Sequence, residues 1–142
     1  MIKRLSLEEC QKVARFAFEK AKAIGPKPIA VAFTDQGANL IYLALMDGVH
    51  PRCGTSATAK AFTSGRLGKT TAAILQSCID NHYELASFCC PGITSTQGGA
   101  PINDVDGEHI GGIGLSGLPA VTDQELAAEC LAYFLELRGV KK

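Results

Sequence analysis

The sequence has no excess of charge of either sign, because fourteen Lys and Arg residues balance fourteen Asp and Glu residues among 142. Binding to a phosphate backbone requires a cationic field, so nucleic acid is not an expected partner. Long hydrophobic runs are also missing: the longest, such as Ile29 to Phe33 and Leu40 to Met46, fall far below the roughly 20 residues that cross a bilayer. We therefore expect no transmembrane helix and no membrane partner.

A secretory signal is not expected either, since Glu8, Glu9 and Lys12 interrupt any apolar segment near the start. This pattern predicts a cytoplasmic protein. The sequence contains no serine nucleophile elbow, zinc motif or dinucleotide-binding fingerprint. These absences remove the enzyme classes that are easiest to identify from a short motif.

The six cysteines show no CxxC spacing, which argues against a zinc knuckle or a disulfide framework. Cys89 and Cys90 are adjacent and precede Pro91, so a reactive thiolate is one interpretation of this pair. Activation would need a nearby cation or a helix N-terminus, and the neighbouring sequence offers neither. We therefore interpret the cysteines as reduced thiols, mostly in the core.

The length fits one domain spanning residues 1–142. Ser6 and Glu9 form a capping box at the start of a helix that Gly25 and Pro26 end. Phe16 lies off the main apolar stripe of this helix, which predicts a second contact, for example with another subunit. The stripe consists of Cys10, Val13, Ala14, Ala17, Ala21 and Ile24.

Alternating residues from Pro28 to Thr34, followed by an apolar run from Leu40 to Met46, predict a β-hairpin whose second strand is central. Two helices follow, from Thr55 or Ser56 to about Gly65 and from about Lys69 to Ile79. We then expect strands at Ile93 to Thr96, around Ile102 and from Ile110 to Ser116, the last two joined by a turn at Asp106-Gly107.

A second capping box at Thr122 and Glu125 predicts the start of a final helix striped by Leu126, Cys130 and Phe134. The predicted order is helix, hairpin, two helices, three strands and helix. This order indicates an α+β domain with a mostly antiparallel five-stranded sheet and flanking helices.

Small residues line one face of the first and last predicted strands: Ala30, Ala32, Gly112 and Gly114. If these strands are neighbours, they form a flat floor with the loops 47–51 and 97–101 at its edge. A planar ligand would fit on such a floor. Packing of a helix or another subunit on it is the alternative, and we favour that packing because glycine in strands most often marks close backbone approach.

An ordered set of short motifs resembles the GlcG/HbpS haem-binding family, which includes the C-terminal domain of PduO-type corrinoid adenosyltransferases. The resemblance spans nearly the whole chain. It rests on Asp47-Gly48, Ala59-Lys60-Ala61 with Thr63, Pro91-Gly92, Gly98-Gly99-Ala100-Pro101-Ile102, Gly107 and Ile110 to Gly117.

This resemblance implies a profilin-like fold, a homo-oligomer and, in several members, binding of haem or a related tetrapyrrole. It also implies an accessory role in bacterial glycerol, propanediol or glycolate metabolism. The chain departs from the family pattern by carrying His50-Pro51-Arg52-Cys53 after Asp47-Gly48. The candidate cofactor-binding residues are His50, Asp47, Lys60, Gly98, Gly99, Gly112 and Gly114, with His50 as the candidate haem-iron ligand.

Three functions follow from these observations. The first is a non-enzymatic haem or tetrapyrrole binder, favoured by the resemblance and by the loop position of His50. The second is a small enzyme acting on a metabolite of such a pathway, with His50, Asp47 or Lys60 as acid or base. The third is an assembly partner of a cobalamin-dependent enzyme. The sequence favours the first, with self-association predicted from the zero net charge and the small-residue strand faces.

Overall fold

A computed structural model describes residues 3–139, so Met1, Ile2 and residues 140–142 of the predicted 1–142 domain lie outside the described residues. In chain order the elements are α1 (Leu7–Ile24), β1 (Ala30–Asp35), β2 (Leu40–Leu45), α2 (Arg52–Leu67), α3 (Thr71–Asn81), a 3-10 turn (Leu85–Phe88), β3 (Gly99–Asn103), β4 (His109–Ser116) and α4 (Ala120–Leu137). None of the helices in this part of the chain is long and apolar enough to act as a membrane span.

Within residues 3–139 the sheet has four strands in the order β2-β1-β4-β3, and every neighbouring pair is antiparallel. The α+β class is confirmed, whereas the prediction of five strands is wrong. Residues Ile93 to Thr96 form no strand, because side chains satisfy the backbone there. The backbone N–H of Thr94 donates to Thr63 Oγ1 at 2.9 Å, and that of Thr96 donates to Thr94 Oγ1 at 3.1 Å.

The main core lies between one face of the sheet and the pair of helices α1 and α4. The capping box at Ser6 and Glu9 forms as predicted and fixes the start of α1. Ile24 is the exception on the predicted stripe, because at the last turn its side chain is exposed. The buried stripe of α1 consists of Cys10, Val13, Ala14, Ala17 and Ala21.

The opposite face of the sheet is covered by α2, which packs on β1 and β4. Ala57 and Ala61 of the helix meet the alanines of β1, Ala30 and Ala32, in a small-residue layer. An added Cβ at Gly114 would lie 2.1 Å from the carbonyl oxygen of Ala57. The small-residue floor is therefore occupied by a helix of the same chain, the packing that the sequence favoured over a planar ligand at this place.

Three other local predictions are wrong. The helix α2 begins at Arg52 and not at Thr55 or Ser56. The strand β2 is an edge strand, and its apolar character on both faces reflects packing beside α2 as well as toward the core. Thr122 caps no helix, because α4 already begins at Ala120 after Pro119. Pro119 takes the N-cap position with an extended backbone (φ −54°, ψ 144°), which places Thr122 inside the first turn.

The tight contact between α2 and β4 predicts that Gly114→Ala destabilises the protein by about 3 kcal/mol, since the new methyl would overlap backbone that cannot move alone. Gly25→Ala is the matched control, because an added Cβ there meets nothing within 4 Å and its φ of 169° is ordinary extended backbone. Urea unfolding of both variants measures the difference. Equal stability of the two would show that α2 does not rest on Gly114.

Candidate functional site

Lys60 lies on the inward face of α2, and its side chain is only 2% exposed. Its Nζ donates to the carbonyl oxygen of Leu115 at 2.7 Å and lies 3.5 Å from Asp123 Oδ2. The side chain thereby connects α2 to the end of β4 and to the first turn of α4. A buried ammonium requires such partners, because an isolated charge in the interior is strongly unfavourable.

Burial dominates the proton affinities of this ion pair. Desolvation raises the pKa of Asp123 to about 6, although the charge of Lys60 acts in the opposite direction. Desolvation also lowers the pKa of Lys60, with Asp123 opposing the shift. Asp123 Oδ1 accepts a hydrogen bond from the backbone N–H of Leu118 at 3.3 Å, so this carboxylate also orders the turn before α4.

Gly98 and Gly99 belong to the same buried cluster. A Cβ on Gly98 would lie 2.8 Å from Lys60 Nζ, and a Cβ on Gly99 would lie 2.7 Å from the carbonyl oxygen of Lys60. Gln124 holds both glycines: its Oε1 accepts from Gly98 N at 2.9 Å, and its Nε2 donates to Gly99 O at 2.9 Å. The absence of side chains at 98 and 99 therefore makes room for Lys60.

The predicted site residues fall into three places. Lys60, Gly98 and Gly99 meet in the buried cluster, while Gly112 and Gly114 lie under the backbone of α2. The other two, Asp47 and His50, are exposed in the loop between β2 and α2. The three proposed acid or base groups, His50, Asp47 and Lys60, are thus not brought together, and the geometry gives the enzyme hypothesis no convergent set.

His50 makes one local hydrogen bond that bears on metal ligation. Its Nδ1 accepts from the backbone N–H of Arg52 at 3.1 Å, so in the neutral ring Nε2 carries the proton. A histidine that binds iron through Nε2 usually donates from Nδ1 instead. His50 would therefore have to release Arg52 and turn before it could bind iron. Among residues 3–139 no group of three or more His, Cys, Asp or Glu side chains is arranged to hold a metal ion.

The outward face of α2 borders an apolar groove of about 580 Å³, which we call the Phe62 groove. An added Cβ on Gly92 would lie 3.5 Å from the Phe62 ring, so the segment after Cys90 packs against this helix. The groove is lined by Leu43, Gly54, Thr55, Thr58, Ala59, Phe62, Pro91 and Gly92.

A second depression of about 430 Å³ shares Pro91 and Gly92 with the Phe62 groove. We call it the thiol depression, because both adjacent cysteines line it. Its lining residues are Leu85, Ala86, Cys89, Cys90, Pro91, Gly92 and Ile93. Both depressions therefore border the same short segment of backbone.

A cation lies beside the ring of Phe62, one of the residues that line the groove. The guanidinium carbon of Arg66, one turn beyond Phe62 on α2, is 5.7 Å from the centre of the Phe62 ring. No acidic side chain is among the described residues that line either depression. An equally large depression between α1 and α4 is lined mainly by charged and polar side chains, among them Glu8, Lys12 and Arg15. Of these two depressions of equal volume, the Phe62 groove is therefore the one that suits a largely apolar ligand bearing carboxylates.

Sequence reasoning missed Asp123, Phe62 and Arg66. Asp123 lies between the two residues of the incorrectly predicted capping box, and its pairing with Lys60 spans 63 positions, so no local pattern shows it. Phe62 and Arg66 are four residues apart on one helix, and that spacing alone places them on a common face. The sequence therefore contained a spacing that predicts a cation beside an aromatic ring.

The fold and grooves of residues 3–139 define a small α+β domain with an apolar surface site. The family model described as "Haem degrading protein HbpS-like" matches residues 5–132, and the chain belongs to that family.

Three solved structures are similar. A double mutant of Streptomyces reticuli HbpS is 28% identical, with a TM-score of 0.82 over 94% of this chain and 88% of that one. Klebsiella pneumoniae ORFY is 22% identical (TM-score 0.86, 99% and 95% covered), and the PduOC:Heme complex is 23% identical (TM-score 0.81, 92% and 94% covered). These last two similarities concern the fold alone. No curated protein matches the sequence.

The buried ion pair predicts strong coupling between its partners. Lys60→Met and Asp123→Asn should each destabilise the protein by about 3 kcal/mol or more, because each leaves a buried group without its partner. The double variant should be less destabilised than the sum, since neither charge then remains. Urea unfolding at pH 7 of the wild type, the two single variants and the double variant gives the coupling free energy of the pair. If the two single losses of stability simply added up in the double variant, the ion pair would be contradicted.

Proposed function

We propose that this protein is a cytoplasmic, homo-oligomeric, non-enzymatic binder of haem or a related tetrapyrrole. The observation that carries the proposal is the apolar Phe62 groove together with the guanidinium of Arg66 beside the Phe62 ring. Membership of the HbpS-like family supports it, as does the haem complex of PduOC, a protein with the same fold. We further propose the accessory role in glycerol, propanediol or glycolate metabolism that the resemblance implies.

The residues present fit haem chemically. An apolar macrocycle requires an apolar surface, which Leu43, Ala59 and Phe62 provide. Its two carboxylates require a cation, and the exposed guanidinium of Arg66 stands beside the ring of Phe62. The groove volume lies within the range of roughly 300–1,000 Å³ typical of small-molecule sites. Bound haem would supply an iron centre with an axial position open to a protein ligand.

The residues predicted from the sequence take different roles in this proposal. The loop with Asp47 and His50 leads into the first turn of α2, where Gly54 and Thr55 line the groove. Lys60, on the inward face, holds α2 to β4 through Leu115 and so fixes the helix that forms the groove wall. The buried glycines permit this close packing.

Self-association is the second part of the proposal. The small-residue sheet face is covered by α2, so the surface of α1 near Phe16 is the remaining interface suggested by the sequence. Phe16 stacks on Tyr133 of α4 with ring centres 4.4 Å apart. Its contact off the main stripe is therefore made within the chain, and the stacked rings border the depression between α1 and α4.

We expect haem titration at low micromolar protein to give a saturable change in the Soret band. Arg66→Glu should weaken the affinity about tenfold, because an anion beside the bound carboxylates repels them. The matched control is Lys27→Glu, an equal charge change at an exposed residue remote from both depressions. No saturable change with the wild type would refute haem binding, and equal weakening by both variants would place the carboxylates elsewhere.

Light scattering at micromolar concentration should give a mass of at least twice the 14.9 kDa of one chain. Phe16→Asp should shift the protein toward smaller species, because it removes the aromatic surface that the proposed contact would bury. Circular dichroism checks that loss of the stack with Tyr133 has not unfolded the variant. A wild-type mass of one chain would refute self-association, and an unchanged mass of the folded variant would place the interface away from Phe16.

A further inference from the structure

We propose that two copies of this chain associate about a two-fold axis, with the exposed face of α1 packed antiparallel against the same face of the second copy. This inference rests on the self-association proposed above and specifies its interface. The defining contact joins Lys12 of one copy to Glu19 of the second copy. A two-fold axis generates that contact twice, once on each side of the centre of the interface.

One exposed face of α1 carries charges of both signs in a fixed order. Residues separated by three or four positions lie on the same side of a helix, and the charged residues of this face follow one another at those separations. We call this face the charged stripe, and all of its charged side chains are exposed. In chain order these are Glu8, Lys12, Arg15, Glu19 and Lys22. The signs therefore run negative, positive, positive, negative, positive.

The charged stripe is complementary to its own reverse at one register. When the two antiparallel helices are centred between Arg15 and Phe16, Lys12 lies opposite Glu19 of the second copy. The same centre places Arg15 opposite the aromatic ring of Phe16 of the second copy. It thereby avoids setting Arg15 directly against Arg15, where like charges would repel.

Other arrangements of the two helices oppose like charges. In the proposed register Glu8 comes within one position of Lys22 of the second copy, which adds a second contact of opposite sign. Sliding the second copy by one helical turn, to a centre between positions 13 and 14, would place Glu8 opposite Glu19 and Lys12 opposite Arg15. A parallel arrangement would set every charge against its own copy. Charge complementarity therefore selects a second copy of this chain, antiparallel and in one register.

The charges of the stripe are available for contacts with another chain. Within the chain, Lys12 Nζ lies 3.3 Å from Glu8 Oε1, and Lys22 Nζ lies 3.4 Å from Glu19 Oε1. All four side chains are more than half exposed, and exposed pairs of this kind contribute little to stability. Exchanging them for contacts between chains therefore costs little.

An apolar floor lies beside the charged stripe. Phe16, Tyr133 and Leu137 all line the depression of about 580 Å³ between α1 and α4. The rings of Phe16 and Tyr133 are stacked, and the side chain of Leu137 is 37% exposed. In the proposed register the aliphatic part of Arg15 of the second copy can cover the Phe16 ring, with its guanidinium at the edge. Burial of this floor favours association, and the charges set its register.

The test reverses the charges of the defining contact in the full-length protein. Lys12→Glu and Glu19→Lys each create two like-charged contacts across the interface. We expect each to raise the dissociation constant of the two-fold contact at least about tenfold. The double variant Lys12→Glu/Glu19→Lys exchanges the two charges and should return the constant to near the wild-type value. Lys27→Glu, an exposed charge reversal outside α1, is the matched control and should leave it unchanged. Sedimentation velocity over a concentration series measures all five proteins.

Mixing the two single variants tests the contact between chains directly. A pair formed by one Lys12→Glu chain and one Glu19→Lys chain has opposite charges at both contacts, because one chain is acidic and the other basic at both positions. We expect this mixture to associate at a concentration at which neither variant associates alone. Positions 12 and 19 are two turns apart on the helix, so a contact within one chain cannot produce the recovery. All the substitutions change exposed side chains, and circular dichroism confirms that the variants fold.

The outcomes separate this interface from self-association itself. Weakening by the single variants without recovery in the double variant and the mixture would overturn the antiparallel register. A wild-type mass above that of one chain, unchanged in both single variants, would overturn the interface and leave self-association standing. A wild-type mass of one chain at micromolar concentration would refute the proposed self-association, and this inference with it.

Discussion

The backbone of α2 lies directly against the backbone of β4, and the rest of the molecule depends on this contact. Any side chain at Gly112 or Gly114 would occupy the space of the α2 backbone at Ala61 or Ala57. Close approach of this kind fixes the helix in both position and rotation, because packed backbones cannot adjust independently. One side of α2 is thereby held against the sheet with Lys60 inside, and the other side is left to form the wall of the Phe62 groove.

The inward and outward faces of α2 therefore have different roles, although the residues that carry these roles are close in sequence. Lys60 reaches inward to Leu115 and Asp123, whereas Phe62, two residues later, faces the groove. Helical geometry turns about 100° per residue, so a separation of two positions is enough to change sides. A substitution on the apolar face that lines the groove therefore need not change the polar contacts that hold the helix. Within the motif Ala59-Lys60-Ala61, Lys60 and Ala61 pack inward, whereas Ala59 lines the groove.

Local signals in the sequence predicted the elements whose ends are set by nearby residues. The capping box of α1 and the Asp106-Gly107 turn between β3 and β4 depend on contacts within a few positions, and both form. Gly107 has a φ of 88°, a conformation in which glycine is unstrained. The supposed strand at Ile93 to Thr96 failed for the opposite reason, since Thr63, about thirty positions away, takes the hydrogen bond of Thr94. The edge position of β2 likewise depends on which strand pairs with β1, and hydropathy cannot show this.

The candidate site was predictable to a smaller degree. The small-residue strand faces indicated close approach correctly, but hydropathy does not say whether a ligand or a helix fills the space. The partner of Lys60 is separated from it by two strands and a helix, and only the tertiary fold brings the two together. The Phe62 groove is formed by the consecutive elements β2 and α2 together with Pro91 and Gly92, which come later in the chain, after α3 and the 3-10 turn.

The buried carboxyl of Asp123 also makes the stability of the folded protein depend on pH. Its pKa of about 6 in the folded protein lies above the ordinary value of 3.8, which applies when the chain is unfolded and solvated. Between these two values the folded protein retains a proton that the unfolded chain has released, so this group favours folding most at low pH. That contribution is fully present below pH 3.8 and is lost as the pH rises through about 6. Near neutral pH a small acidification therefore moves this carboxyl toward its protonated form, in contrast to the carboxyls of Asp104 and Asp106, whose hydrogen bonds and ion pairs lower their pKa values.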